Sequence, residues 1–515
     1  MSKRPRSGST ASAAAAGRPP PGAADDALRA LWSWLSEEQG AGANRLWVGD
    51  DDSGRGLRLT GAAAAGDVLL RLPAAALFTC RSVLGPSTPL GPWLRAAAAG
   101  GVRVGPLATL CCGLLHARGD AGSPWARFLA SFPPMSPGMV CAAQFTAAEL
   151  GRAPWASALH KEAGIQRRRI LAVRSQLRAL LRWSGSPDAP ACPLGASTRD
   201  ILCSEEAVGW AWSVVSTRAC FIPANAGPLE HWARSAQNSG DEVEDDEDTS
   251  VLIPWLDLLN HSSNRPTASA RWVPQASVYE VQALCKMEAG EAVFLSYGAL
   301  TNELLLARYG FVDPAHATDV AALPAPVSGL LPPRGAAAGC ARGGRLCLRD
   351  GCAACAARMA LLQTLCLWPL EAAGDLTFCC PKAGASPPPA GAAADAARRE
   401  QAASAVSWNL LTIVRVLVST DDEVGDGGRD SAVQRVAMDE PVSEASEAAA
   451  WGALEALAEA QLEGLGDEAG EEAASEARDG VGAAAQHRAM LLNTLRGKRR
   501  TILRSALEAL RALMH

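Results

Sequence analysis

The chain has 515 residues, enough for two or three domains of ordinary size. Hydrophobic residues make up 48 % and charged residues 20 %, a globular balance skewed towards Ala and Gly. A formal net charge of −6 excludes a general nucleic-acid binder that works through overall positive charge, and no charge-free apolar run of about 18 residues suggests a membrane span.

Residues 1–24 are basic and Ser/Ala-rich, with no acid before Asp25. They read as a disordered tail; an organelle transit peptide and a weak nuclear address at Lys3, Arg4 and Arg6 are the alternatives. The 15 cysteines, an odd number without a secretory signal, fit a reducing compartment. Leu28, Leu31, Trp32 and Leu35 recur at helical spacing and predict a helix over Asp26 to Ser36. Leu46 to Val48 and Val68 to Pro73 read as strands, with Ser53-Gly54-Arg55-Gly56-Leu57 between them. From 107 to 220 the pattern turns helical. Its stripes are Leu107, Leu110 and Leu114, then Ile165 to Trp183, then Cys203 to Thr217. A helical block between two strand-rich segments suggests an insertion within one domain.

Seven of the eight positions Asp241 to Asp248 are acidic. The run reads as a solvated loop, the alternative being a steering patch for a basic target. Strand patterns return at 270–273, 278–281 and 292–295, and Asn302 to Tyr309 reads as a short helix. Residues 313–515 read as helical, with breaks near 324–346, 381–391, 421–445 and 464–484. The last helix has one apolar face from Leu491 through Leu495, Ile502, Leu503 and Leu510 to Leu513.

Four short motifs stand out: Ser53-Gly54-Arg55-Gly56-Leu57; Ser216-Thr217-Arg218; Asp257-Leu258-Leu259-Asn260-His261-Ser262; and Tyr297-Gly298 followed by Asn302 and Tyr309-Gly310-Phe311. Each is weak alone, since Gly-x-Gly and Asn-His pairs are common in turns. Together, in this order, they resemble the SET-domain methyltransferases of the Rubisco-methyltransferase type. Leu410 to Leu417 and Arg499 to Leu503 are similar to helices of the same family. Trp255-Leu256-Asp257 and Trp210-Ala211-Trp212 point to one subgroup of it.

The resemblance implies an α+β fold: a mainly β SET domain over 25–312, with a helical insertion over about 100–250, then an all-helical substrate-binding domain over 313–515. It implies S-adenosylmethionine as cofactor and a protein substrate, with lysine N-methylation on a histone or another protein as the reaction. Histidine methylation and a catalytically silent binding module are the alternatives. Tyr297 is the expected catalytic residue. The cofactor contacts are expected from Ser53, Gly54, Arg55, Gly56, Leu57, Thr217, Arg218, Asp257, Asn260, His261, Tyr297 and Phe311, and the substrate contacts from Cys220, Tyr309 and Phe311. The chemistry suits these residue types. A guanidinium fork matches a carboxylate, glycines admit close approach, and a phenol oxygen suits an amine and polarised C–H groups. The sequence departs from the family at three places: Ser53 is short, Thr217 replaces a frequent Ser, and Cys220 stands where an aromatic is frequent.

Cys340, Cys347, Cys352 and Cys355 cluster at spacings that zinc sites use, but only one Cys-x-x-Cys is present. They read as free thiols, with zinc the alternative, so no metal site is expected. A monomer without direct nucleic-acid or membrane partners is expected, in the nucleus and/or cytoplasm or, alternatively, the chloroplast.

Overall fold

The computed structural model describes residues 23–42, 44–51, 54–85, 88–120, 122–132, 140–183, 190–222, 250–324, 353–370, 376–381, 392–424, 428–466 and 482–514. The acidic run 241–248, Ser53 and the side chains of Cys340, Cys347, Cys352 and Cys355 lie outside them. Helix α1 (Ala23–Glu37) buries Leu28, Leu31, Trp34 and Leu35. Trp32, expected on that face, is partly buried against the same core, 5.3 Å from Trp255. Strands β1 (Leu46–Asp51) and β2 (Gly54–Leu59) form an antiparallel hairpin with Leu46 opposite Leu59 and Asp51 opposite Gly54. The Gly-x-Gly motif is therefore the start of a strand. β3 (Val68–Pro73) joins β7 (Ala268–Val273) and β8 (Val278–Ala283) in a sheet of order β3-β8-β7, across more than two hundred residues of sequence.

That gap holds the helices α2 (Cys80–Leu84), α3 (Leu90–Ala99), α4 (Pro106–Gly119), α5 (Ala126–Leu129), α6 (Ala147–Gly151), α7 (Ser157–Arg182), α8 (Ala196–Cys203) and α9 (Glu205–Arg218). α4 is buried almost all round, from Ala108 through Leu115, as a helix at the centre of a bundle must be. α7 starts two turns before Ile165, because Leu159 and Ala163 are buried among polar neighbours that mask the period. The Ser204 hydroxyl caps α9 by accepting from the Ala207 N–H at 3.3 Å.

Four very short strands then set up the site. β4 (Ala219–Phe221) pairs antiparallel with β5 (Ser250–Leu252), and β6 (Asn260–His261) pairs parallel with β9 (Phe294–Leu295). α10 (Asn302–Tyr309) follows, ended by Gly310 in the left-handed region at φ 78°.

The C-terminal part is helical, as expected, but carries a two-stranded ribbon as well. β10 (Val320–Ala322) pairs antiparallel with β11 (Thr377–Cys379). The helices are α11 (Ala353–Thr364), α12 (Ala392–Ser404), α13 (Trp408–Val418), α14 (Asp421–Val424), α15 (Arg429–Ala437), α16 (Glu444–Glu463) and α17 (Ala483–Met514). α14 and α15 fall where a break over 421–445 was expected. Val424, Ala432 and Val436 are buried in them, so packing holds these helices where local propensity is poor.

Two hydrophobic cores result. The first gathers Leu57, Leu70, Leu114, Trp212, Leu258 and Val281. The second centres on Leu410, Ile413, Leu503 and Leu510, and also takes Phe145, Trp155 and Leu159 from the insertion and Leu306 from α10.

Candidate functional site

The parallel pair β6–β9 lays Asn260 and His261 beside the segment entering Tyr297. Two hydrogen bonds fix Tyr297 there. Its N–H donates to His261 Nδ1 at 3.0 Å, and its hydroxyl donates to the Leu259 carbonyl at 2.7 Å. The two rings lie 5.1 Å apart. Because Nδ1 accepts, the imidazole proton belongs on Nε2, which faces the Ser263 hydroxyl at 3.0 Å. Burial lowers the His261 pKa and so favours this neutral ring, against the opposing pull of Asp313. Burial also pushes the Tyr297 phenol well above its usual range, so it stays protonated at neutral pH.

β2 closes over this pair. Asn260 Nδ2 donates to the Arg55 carbonyl at 3.2 Å. A Cβ on Gly56 would meet that same Nδ2 at 2.6 Å, so the glycine is what lets the amide in. Arg55 in turn donates from Nη2 to the Ser131 carbonyl at 2.7 Å, tying the hairpin to the insertion.

Behind them lies an ion pair. Arg218, the last residue of α9, donates from Nη1 to the Asp257 carbonyl at 2.9 Å and to its Oδ2 at 3.2 Å. The Asp257 side chain is 1 % exposed. Burial raises its pKa, and Arg218 and then Arg55 pull it back. Arg218 Nε and Asp257 Oδ1 are buried without a hydrogen-bond partner among the described residues. The Arg218 guanidinium also stacks over Phe132, 5.5 Å from the ring centre. Thr217, expected to face the cofactor, donates its hydroxyl to Ser213 within its own helix at 2.8 Å. Trp255, just before Asp257, holds φ 72°, which is strained for an aromatic residue.

An aromatic wall faces Tyr297. The Tyr309 ring is 4.8 Å from it; Phe311 is 6.5 Å from Tyr297 and 6.0 Å from His261. Cys220 lies on β4, opposite Val251 of β5. Its thiol is hydrogen-bonded to Tyr279, and burial pushes it up to about 11, so it is a neutral thiol at physiological pH. Tyr279, its hydrogen-bond partner, is one of the three tyrosines of the whole chain, Tyr297 and Tyr309 being the others.

The structure thus brings together Arg55, Gly56, Arg218, Asp257, Asn260, His261, Tyr297, Tyr309, Phe311 and Cys220. Tyr279 was missed by the sequence reading. It sits in a strand whose alternation is unremarkable, and only the scarcity of tyrosine marks it. No group of three or more His, Cys, Asp or Glu side chains among the described residues is arranged to hold a metal ion. No helix among them is long and apolar enough to cross a membrane.

Residues 389–503 match the family model described as Rubisco LSMT substrate-binding. SET domain-containing protein 4 of Mus musculus is 29 % identical over 285 residues, covering 55 % of this chain and 58 % of that protein. The Homo sapiens protein of that name is 34 % identical over 121 residues, 24 % of each chain. N-lysine methyltransferase setd6 of Salmo salar is 33 % identical over 86 residues, 16 % of this chain and 18 % of that one. These matches therefore span less than two thirds of the relatives' length. Among solved structures, the SET domain of LSMT bound to lysine and AdoHcy superposes with a TM-score of 0.54 at 13 % identity, over 94 % of this chain and 91 % of that one. Rubisco LSMT bound to AdoMet gives a TM-score of 0.54 at 15 % identity, with the same coverage. At such identity the likeness speaks for the fold alone, and that fold runs nearly end to end. The chain has the fold of Rubisco LSMT, carries a stretch that matches its substrate-binding family model, and is similar in sequence to SET domain-containing protein 4.

Proposed function

We propose that this protein transfers a methyl group from S-adenosylmethionine to the side-chain amine of a lysine in a protein substrate. The observation that carries the reading is Tyr297. Its hydroxyl proton is committed to the Leu259 carbonyl, so its oxygen lone pairs are left to accept from a further partner, and it stands against a wall of Tyr309 and Phe311. Support comes from the names of similar proteins, a lysine methyltransferase among them, and from the lysine and AdoHcy bound in a structure of the same fold.

The residues fit the cofactor. Arg218 Nε and Asp257 Oδ1 are buried polar atoms without a hydrogen-bond partner among the described residues, as expected beside a site for a charged ligand. The guanidinium suits a carboxylate, and the β2 backbone is open at Gly54, where a Cβ would meet nothing within 4 Å. The cofactor, when bound, supplies an electrophilic methyl group on a sulfonium centre.

The chain's own residues do the rest. A free lysine amine is neutral in only about one molecule in 10³ at pH 7. An aromatic, poorly solvated channel disfavours the ammonium and raises that fraction. Tyr297 accepts from the amine N–H and from polarised C–H groups, holding nucleophile and methyl carbon in line. With its phenol protonated it orients rather than removing a proton. Tyr309 and Phe311 tolerate a methylated ammonium through cation–π attraction.

The test is transfer from radiolabelled S-adenosylmethionine onto histones, cell extract and chloroplast stroma, comparing wild type with Tyr297→Phe. A lost hydrogen bond to a charged or polarised group is worth about 1.5–3 kcal/mol, so the variant should fall about 10- to 100-fold in rate. No binding of S-adenosylmethionine by calorimetry would refute the enzyme reading. Label on histidine would refute lysine and leave the fold. We also assign 25–312 to the SET domain with its insertion and 313–515 to substrate binding, and we propose a monomer. The compartment, nucleus and/or cytoplasm or else chloroplast, is tested by fusing residues 1–24 to a fluorescent protein.

A further inference from the structure

α7 has no N-terminal cap of its own. Its N-cap position is Ala156, which offers no side-chain acceptor. A helix start leaves unpaired N–H groups that need acceptors, and negative charge there is favoured. Here the acceptor arrives from a distant part of the sequence. Glu303, 7 % exposed, takes the N–H of Ala158 at 2.6 Å and that of Leu159 at 3.1 Å, both on Oε1. Glu303 is the second residue of α10, and the last residue of α10 is Tyr309 in the aromatic wall.

More contacts fasten the same two helices. Gln166 of α7 donates to the Ala307 carbonyl at 2.8 Å while accepting the Ala143 N–H at 2.9 Å. Arg308 grips Glu162 with Nε and Nη2 at 2.9 and 2.7 Å. Beyond them, Gly310 is pressed on the Val140 backbone so closely that a Cβ would lie 2.1 Å from its carbonyl oxygen. Burial raises the Glu303 pKa, and the hydrogen bond from Leu159 and then the charge of Arg499 on α17 pull it back. Tyr309 stands six positions along the helix from Glu303, a rigid lever of about 9 Å.

We propose that Glu303 is a positioning residue: by capping α7 from within α10, it fixes Tyr309 and Phe311 opposite Tyr297. The proposal rests on the methyl-transfer reading, and it makes the insertion part of the channel's construction. Glu303→Gln keeps an acceptor oxygen in reach of both N–H groups; Glu303→Ala removes it.

The experiment uses the full chain with each variant. It measures hydrogen exchange over 157–161 and 302–311, S-adenosylmethionine affinity by calorimetry, and methyl transfer onto cell-extract protein at saturating cofactor. Displacement of reacting groups by about 1 Å can cost up to about 10²-fold. Glu303→Ala should therefore exchange faster in both segments and lose at least about tenfold in transfer, with cofactor affinity within about twofold of wild type. Glu303→Gln should restore both. Wild-type exchange in the alanine variant, a glutamine variant as impaired as alanine, or cofactor affinity falling in step with transfer would each overturn the proposal. If Glu303→Ala yields no soluble protein, Glu303→Asp, which draws the carboxylate back by one methylene, carries the same test. A wild type that shows no transfer, with the expected exchange pattern in the variants, would refute methyl transfer and leave the clamp standing.

Discussion

His261 does its work through a single lone pair. Nδ1 accepts the Tyr297 N–H, so a second proton on the ring would set donor against donor. Burial lowers its pKa from the ordinary 6.5. Above pH 6.5 the ring is neutral in folded and unfolded chains alike, and pH costs nothing. As pH falls through that value, the unfolded chain takes up a proton that the folded ring still refuses, and stability is lost until the lower folded pKa is reached. His261→Gln removes the titration. The thermal midpoint of wild type relative to His261→Gln should therefore drop as pH is lowered from about 7.5 to about 5.5; a gap independent of pH would show that the ring is not held neutral. At this scale much of the site was legible. Arg218, Asp257, Asn260, His261 and Tyr297 lie in short motifs, and the fold joins them in pairs: Arg218 with Asp257, Asn260 with Arg55, His261 with Tyr297. The pairing itself was not legible. Tyr279 reaches Cys220 from a strand that carries no motif.

At the scale of elements, legibility follows length. α9, α13 and α17 bury enough residues to announce themselves by periodicity. β4, β6 and β9 have two or three residues each, below the reach of any alternation test, yet they hold Cys220, Asn260 and His261 and lead into Tyr297. They are specified by what packs on them. α10 shows how a short element is made definite. Thr301 caps its start, accepting from the Leu304 N–H, and Asn302 is bonded to Asp313 and Asp319. Gly310 ends it in a left-handed conformation. Gly310→Ala would combine the left-handed penalty of about 1–2 kcal/mol with the 2.1 Å approach to the Val140 oxygen, which cannot yield without moving backbone. The expected loss exceeds about 2 kcal/mol, read as a lower urea midpoint with the slope unchanged. A midpoint equal to wild type would mean that α10 does not end where the geometry puts it.

For the whole molecule, the two cores are not divided where the sequence changes character near residue 312. The second core reaches back to Phe145, Trp155 and Leu159 in the insertion and to Leu306 in α10. Polar contacts cross the same boundary. Arg488 of α17 donates to both carboxylate oxygens of Glu149 at 3.0 and 3.2 Å, and Arg496 donates from Nη2 to the Arg152 carbonyl at 3.0 Å. Arg496 and Arg499 lie over the Trp155 ring at 5.9 and 5.8 Å. A pattern of apolar stripes shows that helices 313–515 have a buried face; it does not show that part of what buries it lies upstream of residue 312. The consequence is testable by ending the chain at residue 312. The cut uncovers Phe145, Trp155, Leu159 and Leu306 at once. Each large apolar side chain returned to water costs about 1.5–3 kcal/mol, so the four together rival the 5–15 kcal/mol that holds an average domain folded. The fragment should give little soluble protein, should lack a sharp unfolding transition, and should bind S-adenosylmethionine far more weakly than the full chain. A fragment with cooperative unfolding and full affinity would show that the SET part stands alone. If it does not, the helices that resemble a substrate-binding domain also support the back of α10, and the wall facing Tyr297 depends on both ends of the chain.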